Sequence, residues 1–457
     1  MAPKLRVAFL HPDLGIGKWT LASRGAERLV VDAAVGLQTA GHEVTVYTSH
    51  HDTSHCFRET RDGTLNVQVL GNTIVPRTLG GRFHILCAIL RGWHLVLQLL
   101  LHHHHAYDVI VCDALSAYIP PLRLMHQPRI LFYCHFPDKY LAKPSPHFLR
   151  KCYRVPFDAL EEWATGLADC VVVNSKFTAS IFQKAFSSIA REPAVLYPGI
   201  HLPSYDQAVD ASDPAVVKLH TDHPFLLSIN RFERKKAIGL AILTLARLRV
   251  LMPSTFLQLF VTGGYDSRVK ENVAYLAELR ALCDQLDLES LTVWANESTD
   301  PSLLNSARVV FVPSFSENQR SYLLRHAKCL LYTPSNEHFG IVPVEAMYAR
   351  VPVIAVNSGG PMETIVDGAT GFLCEPNPDT FAMPVYDLLM GKVDRAELGA
   401  NGRDRVQTHF SMDAFMATLN TLVAELAQQS AQPCSLGLWL CVLGMACAFG
   451  YGTWAVL

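Results

Sequence analysis

Hydrophobic positions follow two alternating rhythms along most of this chain. Short apolar runs rich in β-branched residues are separated by longer stretches whose apolar residues recur at helical spacing. That alternation predicts parallel sheets covered by helices. In the first half, residues 6–10, 43–47, 109–112, 129–134, 170–174 and 194–197 read as strands, with helices at 26–40, ended by Gly41, and at 158–168. The pattern then restarts. Residues 224–229, 258–262, 291–294, 329–333 and 352–356 read as strands of a second doubly wound unit, with helices near 241–252, 269–284, 343–348 and 361–366. The polar stretch 202–223, with its Pro and Asp residues, reads as a linker between domains at 1–201 and 224–432. A length of 457 residues agrees with two cores and an extension rather than one. Ligands of such sheets sit beyond the carboxyl ends of the strands. Two facing units are therefore expected to enclose a substrate cleft.

Two apolar stretches depart from this rhythm. Residues 436–457 carry no charge, and as a helix these 22 residues would span roughly 33 Å, enough for a hydrocarbon core of about 30 Å. They read as a transmembrane tail. Residues 84–101 are also apolar but contain Arg91 and His94. A central Arg costs about 2.5–3.5 kcal/mol in a spanning helix. This stretch therefore reads as membrane-associated in the interface plane, with Trp93 near the headgroups, or as an amphipathic core helix. The run His102, His103, His104, His105 has no second ligand set and reads as a loop rather than a metal site. Residues 1–9 hold too short an apolar run for a secretory signal and read as the approach to a first strand.

Composition narrows the picture. A net charge of −2 argues against a protein built around nucleic acid. The twelve cysteines are scattered singly, with no C-x-x-C pair, so zinc-ribbon and disulfide frameworks are disfavoured. Cys112, Cys134 and Cys170, on apolar runs, read as small buried hydrophobes.

The chemistry concentrates at predicted strand ends. Residues 336–347, Asn-Glu-His-Phe-Gly-Ile-Val-Pro-Val-Glu-Ala-Met, follow the strand at 329–333 and enter a helix near Pro343, where proline suits the first turn. Backbone N–H groups around Gly340, Ile341 and Val342 suit an anionic phosphate there. Glu337 on the loop suits sugar hydroxyls, and Glu345 in the helix suits a ribose diol. A basic loop, 228–236, follows the strand at 224–229. Its Arg231 and Lys236 suit a diphosphate, Arg as a fork and Lys as a point charge, and neutralising a departing diphosphate lowers a barrier without a general acid. Gly359 and Gly360, between a strand and Pro361, read as a further anion cradle. In the first half, His135 closes a strand at the expected cleft edge, and Asn174 with Ser175 closes another.

Together these residues resemble glycosyltransferase family 4, whose fold is GT-B, two facing Rossmann-like domains. Glu337 and Glu345 match its E-x7-E motif, and Arg231 with Lys236 its diphosphate-binding pair. Residues 11–15, 132–137, 230–236 and 332–347 are similar to the eukaryotic dolichol-pathway α-1,3/1,6-mannosyltransferases in particular, and the similarity runs over residues 5–415 or so. The resemblance implies GDP-mannose as donor and a mannosyl-chitobiosyl diphosphodolichol as acceptor, on the cytosolic face of the endoplasmic reticulum membrane. It implies retention of configuration, no bound metal and no cofactor, and other mannosyltransferases of the pathway as partners. By the same carry-over His135 lies near the donor mannose, Glu337 contacts it, Glu345 holds the ribose, and Arg231 and Lys236 stabilise the leaving GDP. One departure stands out. The family's glycine loop is compact, whereas here residues 18–24 separate Gly15 and Gly17 from Gly25. They lie in a loop that approaches donor phosphates or acceptor, and read as an insertion of translated non-coding sequence.

Three rival readings keep their own signals. Another family-4 transferase would differ in nucleotide sugar or acceptor, because the base is not legible in these motifs. A catalytically idle, membrane-attached nucleotide-sugar-binding subunit is favoured by the interrupted glycine loop and opposed by Glu337, Glu345, Arg231 and Lys236. A dehydrogenase is opposed by the broken G-x-G-x-x-G at residues 15–20.

Overall fold

The structure, a computed structural model, describes residues 3–15, 21–81, 83–102, 107–125, 127–141 and 148–430. The tail expected at 436–457, Gly17, residues 18–20 and the histidines after His102 lie outside the described residues. The chain divides into two compact units. One holds the chain through Leu196 and again from Met416, and the other is Tyr197–Phe415.

Each unit is built on one seven-stranded parallel sheet. In the first, β1 (Arg6–His11), β2 (Glu43–Thr48), β3 (Asn66–Val69), β4 (Val109–Asp113), β5 (Arg129–Cys134), β6 (Cys170–Val173) and β7 (Ala194–Val195) lie in the order β3-β2-β1-β4-β5-β6-β7. Phe9 sits in register with Val46 on one side and Val111 on the other. β4 is buried along its whole length, which is why it reads as an uninterrupted apolar run. The order reverses at β1, with β2 on one flank and β4 on the other. The ends of β1, β4 and β5 therefore meet where such sheets bind their ligands.

The second sheet repeats the plan. β8 (Phe225–Ile229), β9 (Gln258–Gly263), β10 (Ser290–Thr292), β11 (Val309–Pro313), β12 (Leu330–Tyr332), β13 (Val353–Val356) and β14 (Gly371–Cys374) take the order β10-β11-β9-β8-β12-β13-β14. The reversal falls between β8 and β12. The basic loop and the two-glutamate segment therefore leave adjacent strands at the same end.

Three strands escape the sequence reading. β3 and β14 are four-residue edge strands, one polar and half-exposed, the other opened by glycine. β11 is fully buried on both faces, so it offers no alternation to read. The expected domain limits also shift. Residues read as linker form the helices Leu202–Asp206 and Pro214–Val217 within the second unit. Residues 416–430, read as part of the second domain, belong to the first. The helix Met412–Gln428 is held there by a bond of 2.8 Å between His42 Nε2 and Asn420 Oδ1. Gly36 makes room for it, since a Cβ there would stand 2.3 Å from the Met416 sulfur.

Among the described residues one helix, His84–Leu101, is long and apolar enough to cross a membrane by length and composition. Much of it is core. Cys87, Leu95, Val96 and Leu99 are buried, and buried Arg91 donates to the Ser49 carbonyl at 2.5 Å and to Asp13 Oδ1 at 3.2 Å. Trp93, expected at headgroups, donates its indole N–H to the Ala117 carbonyl at 2.9 Å. Leu97 and Leu101 are its exposed apolar residues, at 51% and 58%. Of the three cysteines read as buried, Cys112 and Cys134 are, and Cys170 is half-buried.

Candidate active site

The second unit assembles its site from two adjacent loops. After β8 the chain makes a 3-10 turn, Arg234–Lys236, closed by Ala237 in the left-handed region at φ 47°. The turn delivers buried Lys236 to the loop that follows β12. There its Nζ lies 2.7 Å from Glu337 Oε1, while the Tyr332 hydroxyl donates to Glu337 Oε2 at 3.2 Å. Thr333 Oγ1 donates to the Lys236 carbonyl at 2.7 Å and ties the loops together. Burial pushes the Glu337 carboxyl up, but Lys236 and Tyr332 outweigh it and hold the group below its ordinary value. Burial also lowers the Lys236 ammonium, against the pull of Glu337. The result is a cation and an anion fixed side by side at the switch point of the sheet. Arg231 lies on the same loop but pairs with Glu233, at 2.8 Å.

Glu345 is buried in the helix Ile341–Tyr348. The Tyr205 hydroxyl donates to its Oε1 at 2.5 Å and Arg320 Nη1 donates to the same atom at 3.0 Å. Burial pushes this carboxyl up, and Arg320 and Tyr205 oppose that shift. Gly340 starts the helix at φ 83°, a conformation that favours glycine, and Ile341 and Val342 follow as its first residues. Gly359 and Gly360, read from the sequence as an anion cradle, also pack closely against the neighbouring loop. Gly360 donates its N–H to the Glu337 carbonyl at 2.7 Å, and a Cβ on Gly360 would lie 2.2 Å from the Phe339 carbonyl oxygen. These glycines let the following loop press against the one that carries Glu337.

In the first unit the ends of β1, β4 and β5 bring three side chains together. His135 Nε2 lies 2.7 Å from Asp113 Oδ1, and His11 Nδ1 lies 2.8 Å from Asp113 Oδ2. Burial pushes the Asp113 carboxyl up, yet the two imidazoles hold it far below the usual carboxylate range. His135 also lines a cavity of about 240 Å³ with Ala114, Leu115, Phe136, Arg154 and Glu161. Burial raises Glu161 to about 7. Gly15 is set for a close approach rather than a free loop. Its φ is 77°, a Cβ would stand 2.4 Å from the Asp52 carbonyl oxygen, and its N–H donates to Glu27 Oε1 at 2.8 Å. Gly25 lies inside the helix Leu21–Thr39, where a Cβ would meet nothing. Residues 21–24, read as insertion, are thus part of a helix expected to begin at 26. Asn174 donates to the His135 carbonyl at 3.2 Å, and Ser175 caps the helix Lys176–Ala185.

Sequence reasoning missed Asp113, His11, Tyr332, Tyr205 and Arg320. Asp113, His11 and Tyr332 each end a strand, and a polar group closing an apolar run is the signal that finds them. Tyr205 and Arg320 reach Glu345 from distant helices and leave no local signal.

Comparison with known proteins agrees with both halves. Residues 23–203 match the family model for Glycosyltransferase Family 4, and residues 210–405 match that for Glycosyl transferases group 1. The chain is 49% identical over 439 residues to the alpha-1,3/1,6-mannosyltransferase ALG2 of Rhizomucor pusillus, covering 95% of this chain and 94% of the relative. It is 45% identical over 432 residues to the protein of the same name from Homo sapiens, covering 93% and 97%. Among solved structures, sucrose-phosphate synthase from Thermosynechococcus elongatus superposes with a TM-score of 0.67 at 20% identity, covering 93% of this chain and 99% of that one. Anabaena Alr3699/HepE in complex with UDP and glucose superposes with a TM-score of 0.63 at 17% identity, covering 92% and 100%. At these identities the structures speak for the GT-B fold alone. The chain belongs to the α-1,3/1,6-mannosyltransferases of glycosyltransferase family 4, enzymes built from two Rossmann-like domains.

Proposed function

We propose that this enzyme transfers two mannoses in succession, first α-1,3 and then α-1,6, from GDP-mannose to a mannosyl-chitobiosyl diphosphodolichol. In this reading it works on the cytosolic face of the endoplasmic reticulum membrane, beside other mannosyltransferases of the same pathway. The observation that carries the proposal is the Lys236–Glu337 pair at the switch point of the second sheet. Cleavage of the bond between mannose C1 and the diphosphate oxygen leaves negative charge on GDP. Lys236 and Arg231 stabilise that charge in the transition state, so the step asks for no metal and no cofactor. Glu337 accepts hydrogen bonds from hydroxyls of the transferred mannose. Glu345 accepts from the ribose, and the helix start at Gly340, Ile341 and Val342 lies next to the phosphates. The acceptor hydroxyl forms the new bond on the face the diphosphate leaves, which retains configuration, and its proton passes to the departing phosphate oxygen.

The test is purified protein with GDP-mannose and a phytanyl- or dolichyl-linked mannosyl-chitobiose, read by mass. A gain of two hexoses, removable by linkage-specific α-mannosidases, is expected. No gain with GDP-mannose, but a gain with another nucleotide sugar, overturns the donor assignment.

A further inference from the structure

Asp113 ends β4, the strand between β1 and β5, so its carboxylate stands between two strand ends that each close on a histidine. Each oxygen takes one imidazole, Oδ1 from His135 and Oδ2 from His11. The burial is graded. The Asp113 and His11 side chains are 1% and 6% exposed, and that of His135 is 27% exposed. An ionised carboxylate only accepts hydrogen bonds. A neutral His135 facing it must therefore carry its proton on Nε2, which leaves the Nδ1 lone pair for another donor. Other contacts fix the same ring and its backbone. The Tyr133 ring lies 4.7 Å away, centroid to centroid, and Asn174 donates to the His135 carbonyl.

We propose that Asp113 is the positioning residue of the first unit. It sets the Nε2-protonated tautomer of His135, so that Nδ1 accepts a hydrogen bond from a sugar hydroxyl, and His11 occupies the second oxygen to stop the carboxylate turning. The buried charge on Asp113 also makes Nδ1 a better acceptor, as a carboxylate does for the far nitrogen of any imidazole it holds. The part played by the sugar hydroxyl rests on the glycosyltransferase reading above. The tautomer does not.

The experiment has two arms on the full-length protein. The first is nitrogen NMR of ring-labelled histidine, with the His135 signals assigned by their loss in His135→Gln. The proposal expects an unprotonated Nδ1 and a protonated Nε2. A protonated Nδ1 on a neutral ring overturns it whether or not the protein transfers sugar. The second arm is a double-mutant cycle on mannosyl transfer. Asp113→Asn is expected to lower kcat by about 10–100-fold, as loss of an orienting carboxylate does, with the donor KM within about twofold. In a His135→Gln background it is expected to cost little more. Losses that multiply mean that Asp113 acts on folding or elsewhere, and overturn the proposal. If Asp113→Asn does not fold, the NMR arm decides alone. A wild-type protein that transfers no mannose defeats the functional reading while leaving the tautomer to be read.

Discussion

The two sheets solve one problem in different ways. In the second unit, charges of opposite sign leave adjacent strands and meet directly, Lys236 on Glu337, with Tyr332 on the remaining oxygen. In the first unit two imidazoles share the buried Asp113 carboxylate, one on each oxygen. A direct ion pair fixes the position of the Lys236 ammonium, which suits a leaving diphosphate whose charge grows during the reaction. A carboxylate with a histidine on each oxygen fixes the orientation of both rings, the arrangement proposed above to present a ring nitrogen to a hydroxyl. The two strand-end clusters thus differ in kind, an ion pair in the second unit and a carboxylate shared by two imidazoles in the first.

The sharpest way to break that comparison is to remove the charges one unit at a time. Lys236→Ala is expected to lower kcat by about 10²–10³-fold, the usual consequence of deleting one electrostatic stabiliser, while the His135 tautomer stays as it was. Steady-state kinetics and histidine NMR on one preparation test this. A kcat loss no larger than that of Asp113→Asn would erase the distinction between the units.

A second effect concerns Glu345. Arg320→Met leaves a buried carboxylate without its cation and should cost about 3 kcal/mol of stability. Tyr205→Phe, which removes one hydrogen bond, should cost about 1 kcal/mol. Urea unfolding measures both, and the Arg320 variant should also raise the donor KM more than it lowers kcat. Equal losses from the two variants would mean that Arg320 is not what stabilises the Glu345 charge.

In the first unit the titration of Glu161 gives a pH signature. Its folded value of about 7 lies above the ordinary 4.5, because burial outweighs the backbone N–H groups of Asp138 and Lys139. A carboxyl raised in this way favours the folded state fully below about pH 4.5, and that contribution is lost as pH rises through about 7. Glu161→Gln should therefore flatten the fall in thermal stability between those values by roughly 1–3 kcal/mol. An unchanged slope contradicts the assignment. The smallest effect is local. Ala237 sits at φ 47°, so Ala237→Gly should stabilise by about 0.5–1 kcal/mol in the same unfolding experiment.

Much of this architecture is legible in the amino-acid sequence alone. The restart of the strand–helix rhythm at residue 224 announces the second sheet, because buried parallel strands must be apolar. Glu337, Glu345, Arg231 and Lys236 stand out because strand ends are where such sheets bind. Three kinds of feature are not legible. Gly359 and Gly360 look like an anion cradle in sequence, but glycine marks close backbone packing as readily, and the contact of Gly360 with the Phe339 carbonyl is visible only in the structure. The pairing of Arg231 with Glu233 rather than with Glu337 depends on rotamers within one loop. The grip of Tyr205 and Arg320 on Glu345 joins residues 140 and 25 positions away, a separation no local pattern encodes.

The measurement that bears most directly on the central claim is a double-mutant cycle of Lys236→Ala and Glu337→Ala, read as mannosyl transfer from GDP-mannose with folding checked in parallel. The two groups hold one another in place, so the double variant is expected to be about as slow as the worse single variant. Losses that multiply, or a Glu337→Ala protein that turns over like the wild type, would contradict the assignment of transfer to this pair.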